Sequence, residues 1–135
     1  MAKRLLKPLK NKLWKIFSLY IKLLHSNHNG TANCYTCDKL LYIGHISCQA
    51  GHWLPKGTYQ YHYFNPLQVR PQCSRCNNWA LGNSEVFRRR LEIEIGSQAL
   101  EDIYATRNKG GTRKAEWYDT QIDDYTEKLK RLQHK

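Results

Sequence analysis

Apolar residues recur every three to four positions in two long segments of the sequence. The apolar positions in residues 9–25 are Leu9, Leu13, Ile16, Phe17, Tyr20 and Leu24, and those in residues 113–133 are Tyr118, Ile122, Tyr125, Leu129 and Leu132. This period predicts an amphipathic helix in each segment. The spacing of the second set is close to a heptad. It fits a helix packed on its own domain or a coiled coil between two copies of the chain.

Shorter elements are predicted between these two helices. Tyr-rich runs flanked by turn residues indicate strands at Leu40–Ile43 and Tyr59–Phe64. The run SEVFRRRLEIEI indicates a helix over residues 84–95, and a short helix is expected from Ser97 to Tyr104. The glycine pair in NKGGT, residues 108–112, indicates a linker before the last helix.

Four of the five cysteines form two CxxC pairs, Cys34-Tyr-Thr-Cys37 and Cys73-Ser-Arg-Cys76. A gap of two residues lets both thiolates of a pair face one ion, and two pairs complete a tetrahedron around Zn²⁺. Four thiolates leave no open coordination position, so we predict a structural zinc site. Two disulfides or four inert thiols are the alternative. Cys48 stands alone and is predicted to be a small buried hydrophobe.

Positive charge is concentrated in the part of the sequence that contains the cysteines. Residues 1–84 hold 11 basic residues and one acidic residue, which is +10 of the net charge of +11. This excess indicates a polyanionic partner, nucleic acid before an anionic membrane, or else a solvated basic surface without a partner. The longest uncharged apolar run near the start is Ile16–Ile21, too short for a signal peptide or a membrane span. We therefore expect a cytoplasmic protein.

The segment between the cysteine pairs contains QAGHWLP at residues 49–55, and Asn77 follows Cys76 directly. This order resembles the HNH, or ββα-metal, nucleases. In them a histidine at the end of the first strand activates water, and an asparagine after the last zinc cysteine helps to hold Mg²⁺. More narrowly, the motifs KLWKIFSLYIKLL, CYTC, QAGH, PQCSRCN and IDDYTEKLKRL stand in the same order as in the NinG family of lambdoid phage recombination proteins. The chain resembles that family over residues 10–133.

The resemblance implies a fold class and a division of the chain. The expected fold is α+β, with a small zinc-stabilised ββα-metal core at residues 31–96. A basic amphipathic helix at residues 1–30 precedes this core, and a helical extension at residues 97–135 follows it. The resemblance also implies activity on branched DNA in the cytoplasm of the bacterial host.

Site residues follow from the resemblance position by position. His52 matches the general base, and Asn77 matches the ligand of a catalytic Mg²⁺ or Mn²⁺. The cysteines at positions 34, 37, 73 and 76 match the zinc ligands. Gln68 stands where the HNH pattern has its middle asparagine, and it would orient the site. For His52 the alternative is a structural histidine in a module without catalysis.

Position 51 departs from the HNH pattern. Gly51 stands where these nucleases usually carry an aspartate that binds the metal. Another group would then have to complete the metal site, and Asp38, Gln49 and His45 are the candidates. Because Mg²⁺ prefers oxygen ligands, Asp38 and Gln49 are better candidates than His45.

Basic residues alternate with aromatic residues around these motifs. Lysine and arginine neutralise phosphates, and tryptophan stacks on unpaired bases. The predicted nucleic-acid contacts are Lys12, Lys15, Trp53, Lys56, Arg70, Arg75 and Arg88. No element typical of base reading is recognisable, so recognition by DNA shape is expected.

Three functions are compatible with these features. The first is a metal-dependent DNA endonuclease that acts on branched or single-strand-containing recombination intermediates. A homodimer would suit paired cuts in such a substrate. The second is a non-catalytic, zinc-stabilised DNA- or RNA-binding accessory protein with a degenerate nuclease site. The third is a basic helix over residues 3–24 that docks on a membrane or a partner protein.

Overall fold

The computed structural model describes residues 5–134; residues 1–4 and 135 lie outside the described part, including the start of the predicted docking helix. The helices are α1 (Leu6–Leu24), α2 (Ser84–Ile95), α3 (Ser97–Ala105) and α4 (Ala115–Gln133). The strands are β1 (Thr31–Asn33), β2 (Leu40–Tyr42), β3 (Cys48–His52) and β4 (Val69–Cys73). The fold is mixed α+β with small sheets, as the sequence predicted at that level.

Helices α1 and α4 pack against each other along their apolar stripes. In α1 the fully buried side chains are Leu13, Phe17 and Ile21. The facing residues of α4 include Ile122 and Tyr125, and the rings of Phe17 and Tyr125 meet edge to face at 5.0 Å. The predicted packing of the last helix on its own domain is thereby confirmed. Pro8 lies in the first turn of α1, where a helix needs no backbone N–H.

The strands form two separate antiparallel pairs, β1 with β2 and β3 with β4. In the second pair the register sets Cys48 opposite Cys73 and His52 opposite Val69. Ala50 of β3 and Val69 of β4 belong to the same apolar cluster as α1 and α4. Strand β3 and its partner therefore lie against the helical layer.

The sequence placed one strand wrongly and missed three, β1, β3 and β4. Strand β2 was predicted, but Tyr59–Phe64 forms turns instead of a strand. Phe64 of this segment packs edge to face on Phe17, so it is partly covered by a helix and not by a sheet. The propensities of β3 and β4 are poor because Gly51 and Pro71 interrupt them.

Helices α2 and α3 build a second apolar cluster. Phe87 and Leu91 of α2 pack with Leu100 and Ile103 of α3. Gly96 joins the two helices with a φ of +89°, a conformation that favours glycine. The predicted span of α2, residues 84–95, is confirmed, and α3 lies as predicted except for one further residue.

Candidate functional site

Four cysteines meet where β1 and β4 end. The Sγ atoms of Cys34, Cys37, Cys73 and Cys76 all lie within 4.8 Å of one another. The Sγ atoms of Cys37 and Cys73 are 3.7 Å apart. This matches the edge of about 3.8 Å in a tetrahedron of sulfurs at the usual zinc–sulfur length. All five cysteines are free thiols, so the disulfide alternative is wrong. The cluster can hold a metal ion such as zinc.

The surroundings of the sulfurs lower the pKa of one thiol but raise the pKa of two others. The backbone N–H of Cys76 donates to Sγ of Cys73 at 3.4 Å. Burial raises the pKa of Cys37 to about 12 and also raises that of Cys76. Burial opposes ionisation of Cys34 too, but hydrogen bonds from Thr36 and the backbone lower its pKa to about 6. A bound cation would supply the charge that lets all four thiols ionise.

Cys48 is buried beside this cluster but does not belong to it. It is 2% exposed and lies opposite Cys73 in the β3–β4 register. The four sulfurs that converge come only from the two CxxC pairs. Its position agrees with the predicted role of a small buried hydrophobe.

The β3–β4 pair brings His52 and Asn77 to one cleft. His52 is the last residue of β3, and β4 runs through Cys73 into a short helical turn, Arg75–Trp79, that carries Asn77. In this turn the N–H of Ala80 donates to the carbonyl of Arg75, a wide π-type turn of a kind frequent at functional sites. His52 and Asn77 both line a cleft of about 410 Å³.

The His52 ring is held from two sides. Its Nε2 lies 2.8 Å from the carbonyl oxygen of Tyr63. Because a carbonyl oxygen only accepts, Nε2 carries a proton, and Nδ1 is left with the lone pair that can accept one. The indole of Trp14 stacks on the imidazole with centroids 5.2 Å apart and planes at 18°.

Burial lowers the pKa of His52 to about 4, and the nearby Lys56 and Lys10 add to this effect. At neutral pH the ring is therefore uncharged in the free protein. A neutral imidazole is the form in which histidine accepts a proton.

This shift predicts a loss of stability in acid. Between about pH 6.5 and pH 4 the unfolded chain protonates His52 while the native protein does not, so the free energy of unfolding falls as the pH falls. A shift of this size corresponds to about 3 kcal/mol. Urea unfolding followed by far-UV circular dichroism should show this fall in the wild type and a smaller one in His52→Gln. An equal fall in both proteins would contradict the assignment.

Asn77 faces an amide from β3. Its Nδ2 donates to Oε1 of Gln49 at 2.8 Å, and Nδ2 of Asn78 donates to the same oxygen at 3.2 Å. His45 lines the adjoining cleft of about 510 Å³ together with Gln49 and Asn77. Of the three predicted candidates to complete a metal site, two are therefore close to Asn77. Asp38 is not a candidate, because both of its carboxylate oxygens bind Arg90, at 2.8 and 3.0 Å.

The side chain of Gln72 occupies the space where a side chain at position 51 would lie. A Cβ added at Gly51 would overlap Oε1 of Gln72, which is fully buried and has no hydrogen-bond partner. The amide Nε2 of Gln72 donates to Oγ1 of Thr36 at 3.0 Å and to the carbonyl of Gly82 at 2.8 Å. This packing holds the first cysteine knuckle against the loop after Asn77. It also explains why no carboxylate stands at position 51.

Gln68 supports the segment that follows His52. Its side chain is fully buried, with Oε1 accepting from the N–H of Leu54 at 2.8 Å and Nε2 donating to the carbonyl of His62. Its backbone carbonyl accepts from the N–H of Trp53 at 3.0 Å. It therefore fixes the chain beside His52 from inside the protein, and its side chain does not line the cleft.

Two of the predicted nucleic-acid contacts have buried side chains. Trp53 is 8% exposed and packs in the α2–α3 cluster. Arg70 is 2% exposed, and its guanidinium lies 2.6 Å from the carboxylate of Glu94. Sequence reasoning had no signal for that ion pair, because its partners lie on β4 and α2.

The other five predicted contacts remain at the surface. Lys12, Lys15, Lys56 and Arg75 are exposed, and Lys56 lines the cleft with His52 and Asn77. Arg88 is partly exposed, but Glu85 and Glu92 lie 2.9 Å from its guanidinium and balance its charge. The lysines and Arg75 are therefore the members of this predicted set that remain exposed at the surface.

Two neighbours of His52 were not identified from the sequence. Trp14 lies on α1 and was not among the predicted site residues, yet its ring covers the imidazole. Tyr63 contributes a backbone carbonyl, and backbone groups leave no trace in residue type. Only the three-dimensional contact reveals either role.

Among residues 5–134, no helix is both long and apolar enough to cross a membrane. Comparison with known proteins gives one family. Residues 2–135 match the family described as bacteriophage lambda NinG protein. No curated protein sequence and no solved structure matches the chain.

Proposed function

The chain belongs to the family of the bacteriophage lambda NinG protein, and from this premise we propose that it is a metal-dependent DNA endonuclease. Family membership suggests a phage protein connected with recombination, so the proposed substrates are branched or single-strand-containing recombination intermediates. One observation carries the nuclease proposal. His52 and Asn77 line the same cleft, and Asn77 directly follows Cys76 of the metal cluster.

The proposed role of His52 is to take a proton from the attacking water. The Tyr63 carbonyl fixes the proton on Nε2, which leaves Nδ1 as the acceptor. A pKa of about 4 makes the free ring a weak base. The anionic phosphodiester of a bound DNA would raise this pKa, because a nearby negative charge favours the protonated ring.

The donor set of the cleft fits a divalent metal only together with DNA. Asn77 and Gln49 supply amide groups, but no carboxylate lines either part of the cleft among the described residues. Mg²⁺ in nucleotide sites is usually held by one or two carboxylates and by phosphate oxygens. Here the substrate phosphate would provide the missing negative charge. A bound Mg²⁺ or Mn²⁺ would stabilise charge on the phosphate and on the leaving oxygen.

Basic residues around the cleft support DNA as the partner. Lys56 lines it, and Arg75 is exposed on the turn that carries Asn77. Lys12 and Lys15 are exposed on α1, the helix whose Trp14 covers His52. We place the activity in the cytoplasm of the bacterial host, with a homodimer as the form suited to paired cuts.

The rival function is a zinc-stabilised DNA- or RNA-binding accessory protein with a degenerate nuclease site. The absence of a carboxylate from the lining of the cleft favours it. Such a protein would bind nucleic acid in a salt-dependent manner and would cut nothing in Mg²⁺ or Mn²⁺.

Asn77 and Asn78 provide a matched pair to test the endonuclease. Both amides donate to Gln49, but only Asn77 holds the family position after the last cysteine. With labelled synthetic four-way junctions and flaps in Mg²⁺, Asn77→Ala should lower the cleavage rate by about tenfold or more, since it removes a metal ligand. Asn78→Ala should stay within about twofold of the wild type.

Binding without cleavage by the wild-type protein in both Mg²⁺ and Mn²⁺ would refute the endonuclease and support the accessory protein. Equal losses of cleavage rate in the two asparagine variants would instead show that Asn77 is not a metal ligand.

A further inference from the structure

Tyr63 also lines a second concave surface, which does not include His52. We call it the basic groove. It has a volume of about 550 Å³ and is bounded by the turns at residues 58–64, the segment at residues 107–113 and the start of α4. None of the predicted nucleic-acid contacts lines it.

The groove collects positive charge without compensation. Lys10, Arg107, Lys109 and Arg113 line it, and no aspartate or glutamate does among the described residues. The ion pairs between described residues include none of these four cations. Like charges held together in a concave surface repel each other, and an anion from outside would relieve that repulsion.

Aromatic rings hold these cations in place. The guanidinium of Arg113 lies 4.6 Å from the ring centre of Trp117 and 5.0 Å from that of Tyr61. The ammonium of Lys10 lies 4.3 Å from the ring centre of Tyr63. Each ring and its cation are therefore ordered before any ligand arrives, which lowers the entropic cost of binding.

One donor in the groove lacks an acceptor. Nε of Arg107 is buried and has no hydrogen-bond partner. The rest of the guanidinium is anchored, with one terminal nitrogen donating to the carbonyl of Tyr104 at 2.7 Å and the Tyr104 ring 3.7 Å away. An unsatisfied buried donor costs free energy, and a phosphate beside the guanidinium would offset the positive charge of this group.

From these contacts we infer that the basic groove binds an unpaired DNA strand. Its cations match phosphates, and its tyrosines and tryptophan match exposed bases, which stack on aromatic side chains. A duplex keeps its bases stacked on each other, so it would use the cations and leave the rings without a partner. This inference rests on the proposed function, because the strand in the groove would be the single-stranded arm of the proposed DNA substrate.

Tyr63 joins the groove to the candidate active site. Its side chain lines the groove, its carbonyl accepts the proton of His52 Nε2 at 2.8 Å, and its ring centre lies 4.8 Å from that of His52. A strand in the groove would therefore run directly beside the cleft. The boundary between paired and unpaired DNA would then fall at His52 and Asn77.

The test is a binding assay without added Mg²⁺ or Mn²⁺, so that cleavage cannot enter. Fluorescence anisotropy would compare three labelled probes of about equal length. They are a 20-nucleotide single strand, a hairpin duplex and an RNA of the same sequence as the single strand. The groove variant is Lys109→Glu with Arg113→Glu. The control is Lys130→Glu with Arg131→Glu, which makes the same change of net charge on an exposed end of α4.

The groove variant should bind the single strand about tenfold or more weakly, and the salt dependence of log K should fall by about 1.4 for two lost phosphate contacts. The control should change the affinity by less than about threefold. Tyr61→Ala keeps the charge and should still weaken single-strand binding about fivefold or more, while duplex binding stays unchanged.

Three results would overturn the inference: equal losses in the groove and control variants, equal losses for single strand and duplex, or tighter binding of the RNA than of the DNA. The groove and the endonuclease fail separately. Single-strand binding that depends on the groove, in a protein that cuts nothing, retains the groove and refutes the endonuclease. Cleavage by the wild-type protein, together with normal single-strand binding by the groove variant, retains the endonuclease and refutes the groove.

Discussion

Replacing Cys73 with serine is expected to abolish zinc binding and to unfold the centre of the protein. Cys73 joins β4 to the metal cluster, and its sulfur lies 3.7 Å from that of Cys37. Structural zinc contributes about 10 kcal/mol or more of binding free energy in small domains. That is as large as the whole stability of an ordinary domain, about 5–15 kcal/mol. We therefore expect the free energy of unfolding to fall by at least about 4 kcal/mol.

Cys48→Ser is the matched control for this variant. Cys48 is buried to a similar degree and lies directly opposite Cys73 in the strand register, but it is outside the metal cluster. It should keep about one zinc per chain and lose only about 1–3 kcal/mol for burying a hydroxyl. Zinc content by mass spectrometry and urea unfolding measure both effects. Retention of zinc by Cys73→Ser would show that the cluster is not the zinc site.

Replacing His52 with alanine is expected to lower the rate of DNA cleavage by about 10²- to 10⁴-fold, the range for loss of a general base. Affinity for the same DNA should change by less than about threefold, because the proposed phosphate contacts are made by exposed basic residues and not by His52. Since burial lowers the pKa of His52 to about 4, the acid limb of kcat/KM should lie well below pH 6.5. Single-turnover cleavage of a labelled junction between pH 4.5 and 8 measures the cleavage rate and its pH dependence.

His45→Ala provides the control. His45 lines the adjoining cleft but is exposed, and its Nδ1 is already bonded to the hydroxyl of Ser47 at 2.8 Å. We expect it to cut within about threefold of the wild-type rate, because Mg²⁺ prefers oxygen ligands to an imidazole nitrogen. Because the Trp14 ring rests on His52, His52→Gln should be measured beside the alanine variant to separate catalysis from packing. Wild-type rates in both His52 variants would end its role as the base.

The sequence predicted the helices well because their burial is periodic. In α1 and α4 the apolar residues fall on one face, and that face is buried whichever partner covers it. Strands β3 and β4 follow a different logic. The side chain of Gln72 fills the space beside Gly51, so the two neighbouring strands pack closely there despite the poor propensity of both. No local pattern carries such information.

In the candidate site, too, the sequence predicted the residues of local motifs but not the contacts that form only in the folded chain. The CxxC spacing alone identified the four ligands that converge, and the family motif identified His52 and Asn77, which share a cleft. The burial of Trp53 and Arg70 could not be predicted, because residue type does not report burial. Lys109 and Arg113 were overlooked for the opposite reason, since only the folded chain brings them to the same groove.

The contact between α1 and α4 has a consequence for synthesis on the ribosome. The cysteine knuckles can close as soon as Cys76 has emerged, but the partners of α1 on α4 follow later in the chain. At about 5–20 residues per second, roughly 2–10 seconds of translation separate Cys76 from Tyr125. The metal centre can therefore form first and the helical layer last. During that interval the apolar face of Leu13, Phe17 and Ile21 stays open to chaperones.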